Sequence, residues 1–133
     1  MNVDKLVYDA GALIAADRGG NHGFMRIHER FIERGVAPPI VPAGVLGQVW
    51  RDGARQARLA RMLKTVDIEA LDETTAKLAG KLCGAAGTSD VTDAAVVVIA
   101  FREHAGIVTS DPGDMGKLLD SYGGFLRPRV FVV

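Results

Sequence analysis

Short runs of apolar and β-branched residues alternate along this sequence with longer segments of helical periodicity. The runs lie at residues 6–8, 36–41, 66–71, 106–109 and 130–133. Strands that alternate with helices in this way pack as a parallel sheet covered by helices. A chain of 133 residues has the length of one domain with one core. We therefore predict a single α/β domain, residues 1–133, with a central, mostly parallel sheet.

The predicted helices differ in how apolar they are. A short helix follows Gly11, and another begins after the cap Asp72. The remaining predicted helices cover residues 24–34, 43–64 (with a break at Asp52-Gly53), 92–104 and 115–122. The segment 92–104 is almost entirely apolar, which indicates a buried central helix. Three prolines at 38, 39 and 42 disturb the second strand, so we expect it to be weak or to lie at an edge of the sheet.

Composition and charge restrict the possible functions. Sixteen Lys and Arg residues balance sixteen Asp and Glu residues, so the chain lacks the basic excess of a protein that binds nucleic acid by bulk attraction. Contact with nucleic acid would require a local patch or a metal ion that reverses the sign of an acidic cleft. The single cysteine, Cys83, cannot form an internal disulfide. No segment has the roughly 20 apolar residues of a membrane span, and we expect a cytoplasmic protein without a membrane partner.

Four aspartates are candidates for one site. Asp9 follows the first strand and Asp111 follows the fourth, and ligands of doubly wound sheets bind outside the carboxyl ends of the strands. Asp93 lies in the first turn of the apolar helix, and Asp114 follows Asp111 across a Pro-Gly turn. Carboxylates that converge repel by about 3 kcal/mol per pair at ~5 Å. They persist by sharing protons or by binding a cation, and oxygen ligands favour Mg²⁺ or Mn²⁺ over Zn²⁺.

Structural roles are the alternative for each acid taken singly. Asp9 and Asp90 are suitable helix caps, and Asp93 is a favourable first-turn acid. Asp111 precedes Pro-Gly and is a common turn residue. Their joint placement favours a site, with Asp90 as a cap. Thr109, at the end of the fourth run, has a hydroxyl that is suited to orient a water molecule, or simply packs at the strand end.

The segments that carry these acids resemble the PIN domain. They are LVYDAGALIAA around Asp9, TSDVTDAAVVVIA around Asp93 and IVTSDPGDM around Asp111 and Asp114, and the likeness extends over nearly the whole chain. Within that family the chain looks like VapC-type toxins. The resemblance implies a three-layer α/β/α sandwich and a Mg²⁺- or Mn²⁺-dependent endoribonuclease that acts on RNA. It also implies inhibition by a small antitoxin protein and a homodimer.

The sequence departs from this family at one candidate catalytic position. Where the family has a glutamate on the helix after the second strand, this chain has Gln48. An amide oxygen can ligate a metal or hold a water molecule, but it brings no charge and cannot act as a base. Asp52 could replace the missing carboxylate only from a displaced position. An alternative function is therefore a PIN-like protein with little catalysis that binds RNA or an antitoxin.

A basic strip is the remaining candidate for contact with RNA. Arg51, Arg55 and Arg58 share one helical face if the helix continues through Gly53. Such a strip would contact phosphates or an acidic partner, and a solvated helix surface is the alternative. Trp50 follows Leu46 at helical spacing, and we expect it to pack in the core rather than to stack on a base.

Overall fold

The computed structural model describes residues 3–20, 22–124 and 126–133, and within them one five-stranded sheet is the centre of the fold. Its strands are β1 (Leu6–Tyr8), β2 (Ile40–Pro42), β3 (Asp67–Glu69), β4 (Gly106–Thr109) and β5 (Val130–Val132). They lie in the order β3-β2-β1-β4-β5, and every pairing is parallel. The mostly parallel sheet predicted from the sequence is confirmed.

Seven helices in the described residues cover the sheet. They are α1 (Ala10–Arg18), α2 (His22–Arg34), α3 (Ala43–Val49), α4 (Ala57–Leu63), α5 (Glu73–Ala86), α6 (Val91–Glu103) and α7 (Pro112–Tyr122). Helices α2, α3 and α4 pack around α1, whereas α5 and α7 pack around α6. The result is the predicted three-layer α/β/α sandwich.

Helix α6 is the apolar centre of its layer. Residues 94 to 100 are all buried, and the helix contacts β1, β2 and β4. This arrangement confirms the buried helix predicted from residues 92–104. It also explains why the sequence there lacks a polar face, since α5, α7 and the sheet surround the helix.

The second strand lies inside the sheet, so the expectation of an edge position is wrong. Strand β2 pairs with β1 on one side and with β3 on the other. The prolines are tolerated because Pro38 and Pro39 precede the strand and Pro42 is its last residue. Pro39 still contributes its carbonyl, which accepts a hydrogen bond of 2.9 Å from the Asp67 amide.

In the part of the chain that the structure describes, no single helix is long and apolar enough to cross a membrane. Only α5 and α6 taken together reach such a length and composition, and they are bent by 112° relative to each other.

A polar network that the sequence did not reveal joins the sheet to α2, with Tyr8 and His28 buried and Thr65 at the surface. The Tyr8 hydroxyl lies 2.7 Å from His28 Nδ1, and His28 Nε2 lies 3.0 Å from Thr65 Oγ1. Because the Thr65 hydroxyl donates to the Met62 carbonyl at 2.6 Å, its oxygen accepts from Nε2. Nδ1 is then the acceptor of the tyrosine proton. Burial lowers the pKa of His28, in keeping with a neutral ring.

The start of α1 approaches the loop after β4 so closely that residue 11 must be glycine. A Cβ built on Gly11 would lie 1.9 Å from Ser110 Oγ and 2.8 Å from Ser110 Cβ. These distances are far shorter than any van der Waals contact. The missing side chain at Gly11 therefore allows the loop that carries Asp111 to lie against the helix that follows Asp9.

We expect Gly11→Ala to destabilise the protein by about 1–3 kcal/mol, because the added methyl group overpacks this contact. Chemical denaturation measures the loss. Gly80→Ala is the matched control: nothing lies within 4 Å of its Cβ position in α5, so it should be neutral or stabilising by roughly 0.5–1 kcal/mol. The double variant Gly11→Ala/Ser110→Gly should recover part of the loss, and equal losses in the single and double variants would contradict the clash.

Candidate functional site

The candidate site forms where the direction of strand addition reverses. The chain adds β2 and β3 on one side of β1 and then returns to place β4 and β5 on the other side. The neighbours β1 and β4 are therefore followed by helices that diverge, which opens a crevice at their carboxyl ends. Asp9 follows β1 and Asp111 follows β4, and the Asp9 amide donates to the Val108 carbonyl at 3.2 Å.

Asp9 lies at the base of this crevice and is the most buried of the acids. Only 4% of the residue is exposed, and its carboxylate caps α1 by accepting from the Ala12 amide at 2.9 Å. The Thr109 side chain also forms a hydrogen bond with this carboxylate. Burial raises the pKa of Asp9, with a smaller contribution from the negative charge of Asp111, whereas the hydrogen bonds oppose the shift. The predicted capping role and a place in the site are therefore compatible.

Thr109 links the two strand ends through its hydroxyl. The residue is fully buried, and its Oγ1 accepts from the Asp111 amide at 2.9 Å while the side chain is bonded to Asp9. The hydroxyl thus sets the position of both aspartates. Orientation of a water molecule by Thr109 stays a prediction.

Asp93 occupies the first turn of α6 and is half-buried beside other carboxylates. Its pKa is raised to about 7, chiefly because burial disfavours the charged form. The charges of Asp90, Asp9 and Asp114 and a hydrogen bond to the Asp90 side chain add to this rise. Asp90 also caps α6 by accepting from the Asp93 amide at 2.9 Å, as the sequence predicted. A proton or a cation at this position would relieve the repulsion.

Asp111 and Asp114 lie at the start of α7, on the solvent side of the crevice. Asp111 caps the helix by accepting from the Asp114 amide at 3.1 Å, and both residues are exposed. The Asp114 carboxylate faces a polar cleft of about 300 Å³ whose lining also includes Asp90 and Asp93. Two further polar residues line the cleft, Thr88 and Lys117, and neither was among the site residues predicted from the sequence. The one signal for Lys117 was its spacing of three residues from Asp114 on a helix.

The four predicted acids therefore share one electrostatic environment. The negative charges of Asp9 and Asp114 raise the pKa of Asp93, and the charge of Asp111 raises the pKa of Asp9. Among residues 3–20, 22–124 and 126–133, however, no group of three or more His, Cys, Asp or Glu side chains is arranged to hold a metal ion. Asp9 and Asp111 direct carboxylate oxygens at helix amides instead. The donor chemistry fits Mg²⁺ or Mn²⁺, since every candidate ligand is an oxygen atom.

Gln48 lies on the exposed side of α3. Among the described residues its side chain has no hydrogen-bond or ion-pair partner, so its amide is open to solvent or a ligand. Asp52 does not share a helix with Gln48, because α3 ends at Val49 and Asp52 lies in the following loop. There its carboxylate accepts from the Ala54 amide at 3.0 Å.

The predicted arginine strip does not form as one helical face. The backbone leaves helical geometry between α3 and α4, so Arg51 and Arg55 lie in a loop and only Arg58 lies on a helix. The sequence signal, Asp52-Gly53, correctly indicated an interruption, but the break extends over residues 50–56. Arg58 instead lies over Gly19, at a cavity of about 440 Å³ between α1, α2 and α4.

Comparison with known proteins supports the fold but gives no relative by sequence. No protein-family model matches this chain, and no curated protein matches it significantly. Among solved structures, VapBC2 from Rickettsia felis, bound to a DNA fragment from its promoter, is similar with a TM-score of 0.68 and 14% identity. The match covers 85% of this chain and 92% of that one.

Two further structures have the same architecture. A toxin–antitoxin complex from Klebsiella pneumoniae matches with a TM-score of 0.65 and 16% identity, over 82% of this chain and 88% of that one. PAE2754 from Pyrobaculum aerophilum matches with a TM-score of 0.56 and 18% identity, over 91% and 87% of the two chains. The chain has the PIN-like, VapC-type fold that its sequence resemblance predicted.

We expect Asp93→Asn to raise the melting temperature at pH 8 by a few degrees in metal-free buffer. Because the pKa of Asp93 is about 7 when folded and near 3.8 when unfolded, the folded state retains a proton between these values. The natural protein therefore loses stability as pH rises through this window, and the loss is complete above pH 7. The asparagine amide cannot ionise, so the variant does not lose this stability.

Thermal unfolding in EDTA at pH 4 and pH 8 measures this effect, and the two proteins should differ less at pH 4. Asp67→Asn is the control, because Asp67 is an exposed carboxylate at the opposite end of the strands. A variant that is equally destabilised at both pH values would contradict the repulsion.

Proposed function

We propose that this protein is a Mg²⁺- or Mn²⁺-dependent endoribonuclease of the PIN type. The observation that carries the proposal is the electrostatic coupling of Asp9, Asp93, Asp111 and Asp114 at the β1–β4 crevice. Such a concentration of carboxylates costs stability, as the raised pKa of Asp93 reflects, and residues kept at that cost are candidates for chemistry.

The charge of the cleft supports a requirement for a cation. Asp90, Asp93 and Asp114 line the cleft together with one lysine, Lys117, so the cleft without a cation would repel the anionic backbone of RNA there. Asp9, Asp93, Asp111 and Asp114 are the residues that would hold a metal ion. A bound Mg²⁺ or Mn²⁺ supplies positive charge for a phosphate oxygen and a water molecule of lowered pKa.

The protein's own residues have separate tasks in this proposal. Thr109 holds Asp9 and the Asp111 backbone at a constant separation. The ammonium group of Lys117 is placed to bind a phosphate oxygen at the cleft rim. In this proposal the Gln48 amide would orient a ligand by hydrogen bonds, without taking a proton from it.

The biological role that we propose is that of a toxin controlled by a small protein partner. The structural neighbours from Rickettsia felis and Klebsiella pneumoniae are a VapBC assembly and a toxin–antitoxin complex. A VapC-type chain of this kind would form a homodimer and remain inactive until its antitoxin is removed. Co-expression with the product of an adjacent small gene, followed by co-purification, tests for that partner.

A second candidate function is binding with little catalysis. Gln48 favours it, because the amide contributes neither charge nor a base where the family has a glutamate. The absence of a preformed group of three ligands among the described residues points the same way. In this case the protein would bind RNA or its partner, and hydrolysis would be slow or undetectable.

We expect single-stranded RNA to be cleaved with Mn²⁺ or Mg²⁺ and not with EDTA. Asp9→Asn and Asp93→Asn should each lower the rate by at least about 10- to 100-fold, since changes even to outer groups of metal sites have effects of this size. Gel analysis of a labelled RNA measures cleavage. The Asp67→Asn control should match the natural protein, and Asp9 and Asp93 variants that cleave as fast as that control would refute the proposal.

We expect Gln48→Glu to increase Mn²⁺ affinity and cleavage by several-fold, because in this proposal residue 48 would then supply a charged oxygen ligand. Calorimetric titration with Mn²⁺ and the same cleavage assay measure the two effects. Asp52→Asn should change neither, since its carboxylate is bonded within its own loop. A natural protein with no measurable metal binding or cleavage, beside an active Gln48→Glu variant, would favour the binding function.

A further inference from the structure

The only tryptophan of the chain lies on the surface, although its helical spacing predicted a place in the core. Trp50 directly follows the last residue of α3 and is 38% exposed. The expectation failed because the helix ends before Trp50, so the spacing from Leu46 no longer directs the ring inward. Tryptophan joins a large apolar ring to a polar N–H group and is enriched at interfaces for that reason, so its place on this surface is a candidate for binding.

The loop that carries Trp50, residues 50–56, is held in one conformation by a single buried side chain. The Gln56 oxygen accepts from the Arg51 amide at 2.8 Å and from the Asp52 amide at 3.0 Å. Its NH₂ group donates to the Val49 carbonyl at 3.0 Å and to the Asp17 carboxylate at 3.2 Å. Four hydrogen bonds from one amide replace the secondary structure that this loop lacks, so the loop is preorganised.

The indole ring is itself placed by the loop. A Cβ built on Gly53 would lie 3.0 Å from Cζ2 and 3.1 Å from Cη2 of Trp50, so the backbone at Gly53 lies against the six-membered ring. Glycine permits this approach, which supports part of the ring and leaves the rest open to solvent. An aromatic ring held in this way loses little entropy when a flat ligand stacks on it.

The loop that carries the ring has an excess of positive charge. Within residues 50–56, Arg51 and Arg55 outnumber the one acid, Asp52, whereas Arg58 lies apart, over Gly19. The Arg55 side chain is 88% exposed, and its contact with Asp52 is long, at 3.8 Å. The Arg51 guanidinium is held at the end of α3 by hydrogen bonds that it donates to the backbone carbonyls of Gly47 and Trp50 at 3.1 and 2.7 Å. These cations suit a polyanion.

The loop lies one short helix away from the acids. Helix α3 begins beside the start of α6, where a Cβ on Gly44 would lie 3.4 Å from Thr92 Oγ1, next to Asp93. Seven residues of α3 extend over about 10 Å before Trp50. A polymer that occupies the acidic crevice can therefore reach the loop.

We propose that Trp50 is a stacking platform for an unpaired base of single-stranded RNA, with Arg51 and Arg55 as contacts for the adjoining phosphates. The proposal rests on the proposed function for its choice of substrate. Stacking on an aromatic ring beside basic groups is tolerant of base identity but requires an unpaired base. The platform thus selects single strands, whereas a duplex keeps its bases stacked inside.

Trp50 reports on this contact directly, because its fluorescence is the only tryptophan signal of the chain. The first experiment titrates a 12-nucleotide RNA of mixed sequence into the natural protein in EDTA, where no cleavage is expected. Saturable quenching by the single strand, and much weaker quenching by the same sequence as a duplex, is the expected result. The apparent affinity should fall as salt concentration rises.

Substitutions separate stacking from charge. Binding of fluorescein-labelled RNA, measured by anisotropy in EDTA, should weaken in Trp50→Leu by about fivefold to a hundredfold and be largely retained in Trp50→Phe. Arg55→Ala should weaken binding and reduce its dependence on salt. Tyr122→Leu is the matched control, since Tyr122 is also an exposed aromatic residue but stacks on Phe101 at the far end of α7. Circular dichroism confirms that each variant is folded.

Several outcomes would overturn the platform. They are an unchanged fluorescence on saturation with RNA, equal quenching by duplex, and equal RNA affinity of Trp50→Leu and the Tyr122→Leu control. A fluorescence change that depends on protein concentration alone would assign the ring to an interface between copies and also overturn it. Failure of the proposed nuclease function can be distinguished from failure of the stacking proposal, because the titration needs neither metal nor cleavage. Quenching without any cleavage would keep the platform and reject the nuclease.

Discussion

The pairing of β1 with β4 is the interaction on which the site depends, because it brings together two strand ends that are about 100 residues apart in sequence. The amide of Asp9 extends this ladder by donating to Val108, and the Thr109 hydroxyl connects the Asp9 carboxylate with the Asp111 backbone. Gly11 lets the loop after β4 lie against α1. A change in any of these contacts would move two acids relative to each other.

Burial and repulsion act together on the acids that this pairing collects. Asp9 is almost fully buried, and Asp93 is half-buried beside three other carboxylates. In part the protein offsets these costs with helix amides, since Asp9, Asp90 and Asp111 each cap a helix. The structural and the functional interpretations of these residues are therefore not exclusive. Capping gives each of these carboxylates a hydrogen-bond donor in the helix that follows it.

Features that depend on residues near in sequence could be predicted, whereas features that depend on tertiary packing could not. The strand at residues 106–109, the buried helix α6 and the caps Asp72 and Asp90 were predicted correctly, because each depends on residues near in sequence. The edge position of β2, the helical face of the arginines and the buried Trp50 were wrong. The predictions for the arginines and Trp50 depended on where a helix ends, and the prediction for β2 depended on which strands pair with it. The Tyr8–His28–Thr65 network gave no local signal in the sequence, and the one signal for Lys117 in the cleft was its spacing from Asp114.

By itself the sequence determined the α/β class and the four aspartates, since hydrophobic periodicity and acids at strand ends are local properties of the chain. It also shows Gln48 at the position where the resemblance to the PIN domain implies a glutamate. Only the tertiary structure decided that the acids share one electrostatic environment, because the strand order, not the spacing along the chain, makes β1 and β4 neighbours. It likewise decided that Gln56 holds the loop that exposes Trp50, through hydrogen bonds that form only when α1, α3 and α4 pack together.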